Sequence, residues 1–372
     1  MTSRERLLTA LACEVPDRVP VSTYELAGYN SKAWENNDPS YARLMQAIRE
    51  KADCVSMWNP GSNAVFMESS YPVPIDTQQS HENTVTFTRR TIHTPKGDLH
   101  QAGREIDGIY TTWQTEHLCK SIEDVDKTLS VPYEPVEYDA SDYDRIKREV
   151  GDNGIIMASL SDPLGIAAAL MEFGSFTIWA MTETGHFART VAMLHERVME
   201  NLRRMLAVNV VDLYRICGPE YATPPYLPPV LFRKVVVPYV AEMVDLLRSK
   251  GGRVRFHCHG RIRDVLDMIF ETGADSMDPC EAPPTGDIAL AHVKKRIGKR
   301  MCIFGNIHPV VLEHGTVDDV RQTVKDCMEA AKEGGGYTIM PTAAPINTPL
   351  PKNVEANYLQ YLDAALEFGG YV

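Results

Sequence analysis

The sequence predicts an α/β fold: a (β/α)8 TIM barrel with an antiparallel β-meander inserted near the N-terminus. Three observations carry that expectation. Eight short apolar runs recur along the chain, most of them are followed by a helical pattern, and one stretch breaks the alternation with a period of two.

The runs are "RVPVST" (18–23), "DCVSMW" (53–58), "GIIMASL" (154–160), "VNVVDLY" (208–214), "RVRFHC" (253–258), "ADSMDP" (274–279), "MCIFGN" (301–306) and "GYTIMP" (336–341). Near-continuous apolar runs suit strands covered on both faces, as in parallel sheets. Between them, "PPVLFRKVVVPYVAEMVDLLRSKGG" opens on proline, closes on glycines and carries Pro238, which predicts a kink. "TVDDVRQTVKDCMEAAKEGGG" opens on a threonine cap with two acids in its first turn. Residues 64–118 have period two, and "TPKGDL" reads as the tightest turn of an inserted meander. No linker, repeat or low-complexity tract divides the chain, so 1–372 reads as one domain.

Composition bounds the function. A formal net charge of −12 and no Lys/Arg run argue against a nucleic-acid surface. No apolar run is long enough to span a membrane, and the first residues are too polar for a signal peptide. Eight cysteines without a CxxC pair read as reduced, mostly buried thiols, hence a cytoplasmic enzyme.

In such barrels chemistry sits at the C-terminal ends of the strands. There "RFHCHGRIRD" places His257 and His259 on one face and Cys258 on the other. The two histidines plus a carboxylate from a neighbouring strand, Glu281 after the next or Glu220 after the previous, make a three-ligand zinc site with one open position. The competing expectation is that the histidines only hydrogen-bond polar groups of the barrel. Asn306 either orients a substrate or caps a turn, while His308 and Asp162 read as helix caps. Tyr24, Glu25, Trp58 and Tyr226 are candidates to line a substrate pocket, each with core packing as the alternative. Ser161 lacks a histidine partner in its sequence context, which leaves a serine hydrolase unsupported.

"DRVPV", "TPKGDL", "HCHGRI", "DPCEAPPTGD", "GNIHP" and "NTPLPKNVEA", in that order, resemble the uroporphyrinogen decarboxylase superfamily over nearly the whole chain, and within it the corrinoid-dependent methyltransferases. The resemblance implies a (β/α)8 barrel, agreeing with the strand count. Departures from the family pattern sharpen the expectation. True decarboxylases have an "RQAGRY"-like stretch whose arginines hold the tetrapyrrole's carboxylates; here the matching stretch is "ELAGYN" (25–30), without arginine. Thiol-directed zinc methyltransferases carry His-x-Cys and a later Cys; here the pair is His257-x-His259, and Ala343 or Ala344 stands at the later place. Glu281 matches an acidic position that the family can use at its metal.

Two imidazoles and a carboxylate leave zinc a harder Lewis acid than thiolates do, better suited to an oxygen leaving group. The resemblance therefore implies an O-demethylase methyltransferase with one zinc ion per chain. It would take a small methoxylated, aromatic substrate and pass the methyl group to a corrinoid on a partner protein, with Glu220 as a candidate acid. Alternatives are a methylcobalamin:thiol methyltransferase, a metal-free relative using the histidines as acid and base, a decarboxylase, or a non-catalytic tetrapyrrole binder. Family analogy also implies a homodimer.

Overall fold

The computed structural model describes residues 1–371. Its main strands in chain order are β1 (Cys54–Met57), β2 (Ile75–Glu82), β3 (Val85–Thr94), β4 (Gly97–Ile106), β5 (Ile109–Glu116), β6 (Gly154–Ser161), β7 (Leu213–Cys217), β8 (Arg253–His257), β9 (Ser276–Asp278), β10 (Cys302–Phe304) and β11 (Tyr337–Thr338). Seven of them form one curled parallel sheet in the order β1-β6-β7-β8-β9-β10-β11. Helices connect successive strands, as parallel pairing requires.

The segment 18–23 links the two edges of that sheet instead of forming a full strand. Ser22 N–H donates to Ile339 O (2.9 Å), Ile339 N–H to Pro20 O (3.0 Å), and Asp53 N–H to Val21 O (2.7 Å). Only one parallel bridge, Val21 to Ile339, is regular enough to count as pairing. Pro20 has no N–H to offer, which explains why the ladder stops there. Behind the bridge, fully buried Asp53 accepts from Arg18 Nη1 (2.7 Å) and from the Val21 N–H (2.8 Å), and also pairs with Arg6. "DRVPV" is thus the sequence that fastens the N-terminal segment to β1.

The fourth strand is displaced from its expected place. The helix Thr184–Val208 runs to the start of the expected 208–214 strand, and β7 begins only at Leu213. Asp212 explains the shift: its carboxylate accepts from Ile156 N–H (3.0 Å) and from Arg4, so it ends the loop rather than sitting mid-strand. The strand then continues through Arg215, a charge inside an otherwise apolar run.

Residues 75–116 form a separate four-stranded antiparallel sheet, β2-β3-β4-β5. The expected meander began at 64, but 64–74 lie outside the sheet. "TPKGDL" makes the β3–β4 turn, with Gly97 at φ +118°, a conformation L side chains avoid. Ile92 and Leu99 pack this sheet onto the core, while most of its other side chains are exposed or half-buried.

Alternation along the parallel strands divides the core in two. Val55, Met157, Leu213, Phe304 and Met340 fill the inside of the curl, together with Leu7 and Leu11 of the helix Ser3–Leu11. That helix carries a capping box, Thr2 with Glu5, and closes the N-terminal end. Val254, Phe256 and Ile216 face outward into a larger cluster with the helices. Pro238 breaks the helical stretch as expected, into Pro229–Val235 and Val237–Ser249. Thr316 and Asp319 form the capping box of Val317–Ala331. Among the described residues no helix is long and apolar enough to cross a membrane.

Candidate active site

His257 ends β8, and the same alternation that sends Phe256 outward turns Arg255 and His257 inward. Its register partner on β9 is Asp278, wholly buried, whose Oδ2 lies 3.0 Å from His257 Nδ1. His259 follows in the loop, its Nδ1 3.3 Å from Glu281 Oε1, while Glu281 Oε2 accepts the Gly260 N–H (3.0 Å). The two imidazoles stand edge to face with ring centroids 4.7 Å apart. Each ring is therefore oriented by a carboxylate at Nδ1, leaving its Nε2 without a hydrogen-bond partner among the described residues.

The electrostatics follow from burial and pairing. Burial opposes a charge on His259, but its hydrogen bond to Glu281 and the nearby Glu281, Asp278 and Glu220 carboxylates outweigh it and raise its pKa. Burial pushes the Glu281 carboxyl up, yet His259 and the Gly260 N–H bring it below its ordinary value. Asp278 is held well below the carboxylate range: burial alone would raise it, but Arg255, His257 and Arg215 prevail. Burial drives the thiols of Cys258 and Cys280 far up, so neither supplies a ready thiolate.

The three expected metal ligands, His257, His259 and Glu281, are thus neighbours at the rim. Among the described residues no three His, Cys, Asp or Glu side chains are placed to hold one ion. Glu281 is occupied as the partner of His259 and of a backbone amide. The fit to a metal is that of two imidazole Nε2 atoms, each backed by a carboxylate in the way metal-bound histidines commonly are.

Other expected residues sort by their contacts. Glu220 lies on the short helix Pro219–Ala222, accepts the Gly218 N–H (2.9 Å), and is close enough to act on His259 and Asp162. Thr223 of the same loop reaches the His259 carbonyl (3.5 Å). Asn306 uses both ends of its amide on the Cys280 backbone, accepting from N–H (3.2 Å) and donating to the carbonyl, so it clamps the loop after β9. His308 caps Pro309–His314 through the Val310 N–H, and Asp162 caps Pro163–Ala168 through the Gly165 N–H (2.6 Å). Glu281, Asn306, His308 and Thr342 meet at a cavity of about 340 Å³ whose other walls are apolar apart from Thr285, with Pro283, Pro284, Val310 and Val311 among them.

Trp58 and Tyr226 make packing and hydrogen-bond contacts. The Trp58 indole donates to Asp142 Oδ1 (2.9 Å) and packs against Tyr143, buried on the outer side of the sheet. Tyr226 sits edge-on to Phe173 at 4.6 Å in an aromatic group with Tyr221. Tyr24 and Glu25 lie next to His257 and Arg215, respectively. Tyr24 adopts φ +57° and its ring lies 6.4 Å from that of His257, while Glu25 Oε1 accepts from Arg215 Nη2 (3.0 Å).

Arg215 and Arg255 were not foreseen. They are register partners on β7 and β8, both nine-tenths buried or more, immediately before Cys217 and His257 on the inward face. Displacing the fourth strand hid Arg215, but counting back two residues from His257 would have found Arg255.

A curled parallel sheet with paired histidines and carboxylates at its C-terminal rim defines an α/β enzyme of the TIM-barrel type. Residues 112–356 match the uroporphyrinogen decarboxylase (URO-D) family, and the chain belongs to that family. Among curated relatives, a uroporphyrinogen decarboxylase of Chlorobium phaeobacteroides is 26% identical over 129 residues, 32% of this chain and 35% of that protein. One from Hordeum vulgare is 23% identical over 244 residues, 63% of this chain and 69% of that protein. A solved structure described as a methyltransferase from Methanosarcina mazei shares the fold with TM-score 0.62 and 18% identity, covering 99% of both chains.

Proposed function

We propose that this protein is the substrate-side methyltransferase of a corrinoid-dependent demethylation. It binds a small methylated compound, an aromatic methyl ether by preference, at the rim of the sheet, and the methyl group passes to a reduced corrinoid carried by a separate protein. The observation that carries the reading is the pair of carboxylate-oriented histidines, with Glu281, the partner of His259, on the wall of a mostly apolar cavity, in a family member whose "ELAGYN" stretch has Glu25 where a tetrapyrrole site needs arginine. A glutamate there repels a substrate bearing many carboxylates. The fold shared with the Methanosarcina methyltransferase is in keeping with this reading.

In the reaction the carbon–oxygen bond breaks, its electron pair stays on the oxygen, and the corrinoid's electron pair makes the new bond to carbon. The chain's task is to place the ether and to answer the charge on the departing oxygen. His257, fixed by Asp278, and His259, fixed by Glu281, present Nε2 groups to that oxygen, and His259, whose pKa is raised, can donate a proton there. Glu220 is a second acid on the adjacent loop. If zinc is bound, the two Nε2 atoms would hold it, and its Lewis acidity would take the place of proton donation by His259 at that oxygen.

A decarboxylase is the second reading, favoured by the relatives' names and by the buried arginines. One experiment separates them. Purified protein is given chemically reduced cobalamin with a panel of methoxylated aromatics, and in parallel uroporphyrinogen. Methylated cobalamin forming only with protein and a methyl ether supports the proposal. Loss of carboxyl groups from the tetrapyrrole without methyl transfer overturns it.

A further inference from the structure

A fully buried guanidinium normally spends its five N–H donors on oxygen. Arg255 does not. Its Nη1 meets only the Met340 sulfur at 3.8 Å, and Nη2 has no partner. Its Nε lies 3.0 Å from Asp278 Oδ1 without hydrogen-bond alignment. Its neighbour in register, Arg215, gives Nη2 to Glu25 and has weak contacts to Ser159, but its Nη1 is buried and unpartnered. Two like charges on paired strands are costly to bury, and each donor left without an acceptor adds to that cost. Phe304 and Tyr24 lie under the guanidinium faces at 5.1 and 5.5 Å, fixing their planes without offering an acceptor.

We propose that Arg215 and Arg255 form a binding site for one oxyanion, beneath the His257–Asp278 pair, and that the natural substrate carries a carboxylate-class group. The unpartnered Nη1 of Arg215 and Nη2 of Arg255 are its donors, each able to give one charge-assisted hydrogen bond to the anion. Glu25 is the stand-in. It is the half-exposed partner of Arg215, on the loop that starts at the left-handed Tyr24, and an incoming anion competes with it. Asp278 keeps the site from carrying two uncompensated charges when no ligand is bound. Combined with the methyl-transfer reading, on which only the methyl group depends, the substrate class becomes a methoxylated aromatic acid.

Binding tests this without any turnover, so its outcome is independent of the methyl-transfer assay. Calorimetric titration of the full-length protein compares benzoate, its neutral analogue benzamide, and inorganic phosphate. Expected is saturable binding of benzoate at least tenfold tighter than benzamide, weakened tenfold or more in Arg215→Gln and tightened in Glu25→Gln. Phosphate binding as tightly as benzoate would assign the site to a phosphate-bearing ligand and overturn the carboxylate class. Benzoate and benzamide binding alike, or benzoate binding unchanged in Arg215→Gln, would overturn the site altogether. Arg255→Lys serves as the conservative variant, since it keeps the charge. Folded by circular dichroism yet weaker for benzoate is the expected result, and unchanged affinity in it removes Arg255 from the site.

Discussion

His257 and Asp278 face each other in register at the ends of two neighbouring parallel strands, with Nδ1 and Oδ2 3.0 Å apart and Asp278 wholly enclosed. The same carboxylate is 3.0 Å from Arg255 and acts on Arg215. One buried anion thus orients the His257 imidazole and offsets two buried cations.

Asp278→Asn should therefore be severe. Removing one partner of a buried ionic group leaves charges uncompensated, which costs about 3–5 kcal/mol. Urea unfolding should show the loss as a lower midpoint. Asn is nearly isosteric, so a change below ~1 kcal/mol would mean that the arginines find other partners.

Elemental analysis of the purified protein should find about one zinc per chain. The His257→Ala, His259→Ala double variant should lose it while remaining folded. No zinc in the parent after addition of the metal would leave the histidines as acid–base groups alone.

Acid titration should reach Trp58 through Asp142. The hydrogen bonds of Lys32 and of the Trp58 indole hold the Asp142 carboxyl down to about 2. A carboxyl lowered on folding adds stability that is present above its unfolded value and is lost as pH falls through the folded one. The window is therefore from about 4 down to about 2. Trp58 fluorescence should change over that window, and Asp142→Asn should flatten the change. A parent and variant with superimposable acid limbs would remove Asp142 as the cause.

Thiol reagents should find little in the native protein at neutral pH. Cys258, Cys280 and Cys302 are fully enclosed with pKa values pushed up by burial, and burial lifts even half-exposed Cys217 to about 11. All eight cysteines should react after denaturation. Rapid native labelling of Cys258 would show that the loop after β8 opens.

Much of this protein was legible in its sequence. Apolar runs marked the strands of the parallel sheet, a period of two marked the antiparallel one, and Thr316, Pro238 and Asp162 punctuated helices as their chemistry demands. Alternation put His257 on the inward face, and the position of "HCHG" at a strand's end put the histidines at the rim. These are local properties, set by backbone geometry within a few residues, and so the sequence alone determines them.

Tertiary structure decided the partners. Trp58 and Asp142 lie 84 residues apart, and Arg215 and Glu25 190 apart. No local rule distinguishes a tryptophan that lines a pocket from one that braces a helix. Which strand ends stand side by side, and at what register, is fixed by how the helices pack on the sheet. That packing gave His257 to Asp278 and His259 to Glu281, and it set Arg215 beside Arg255. The physical reason is range: propensity acts along the chain, whereas charge, burial and hydrogen-bond satisfaction act through space.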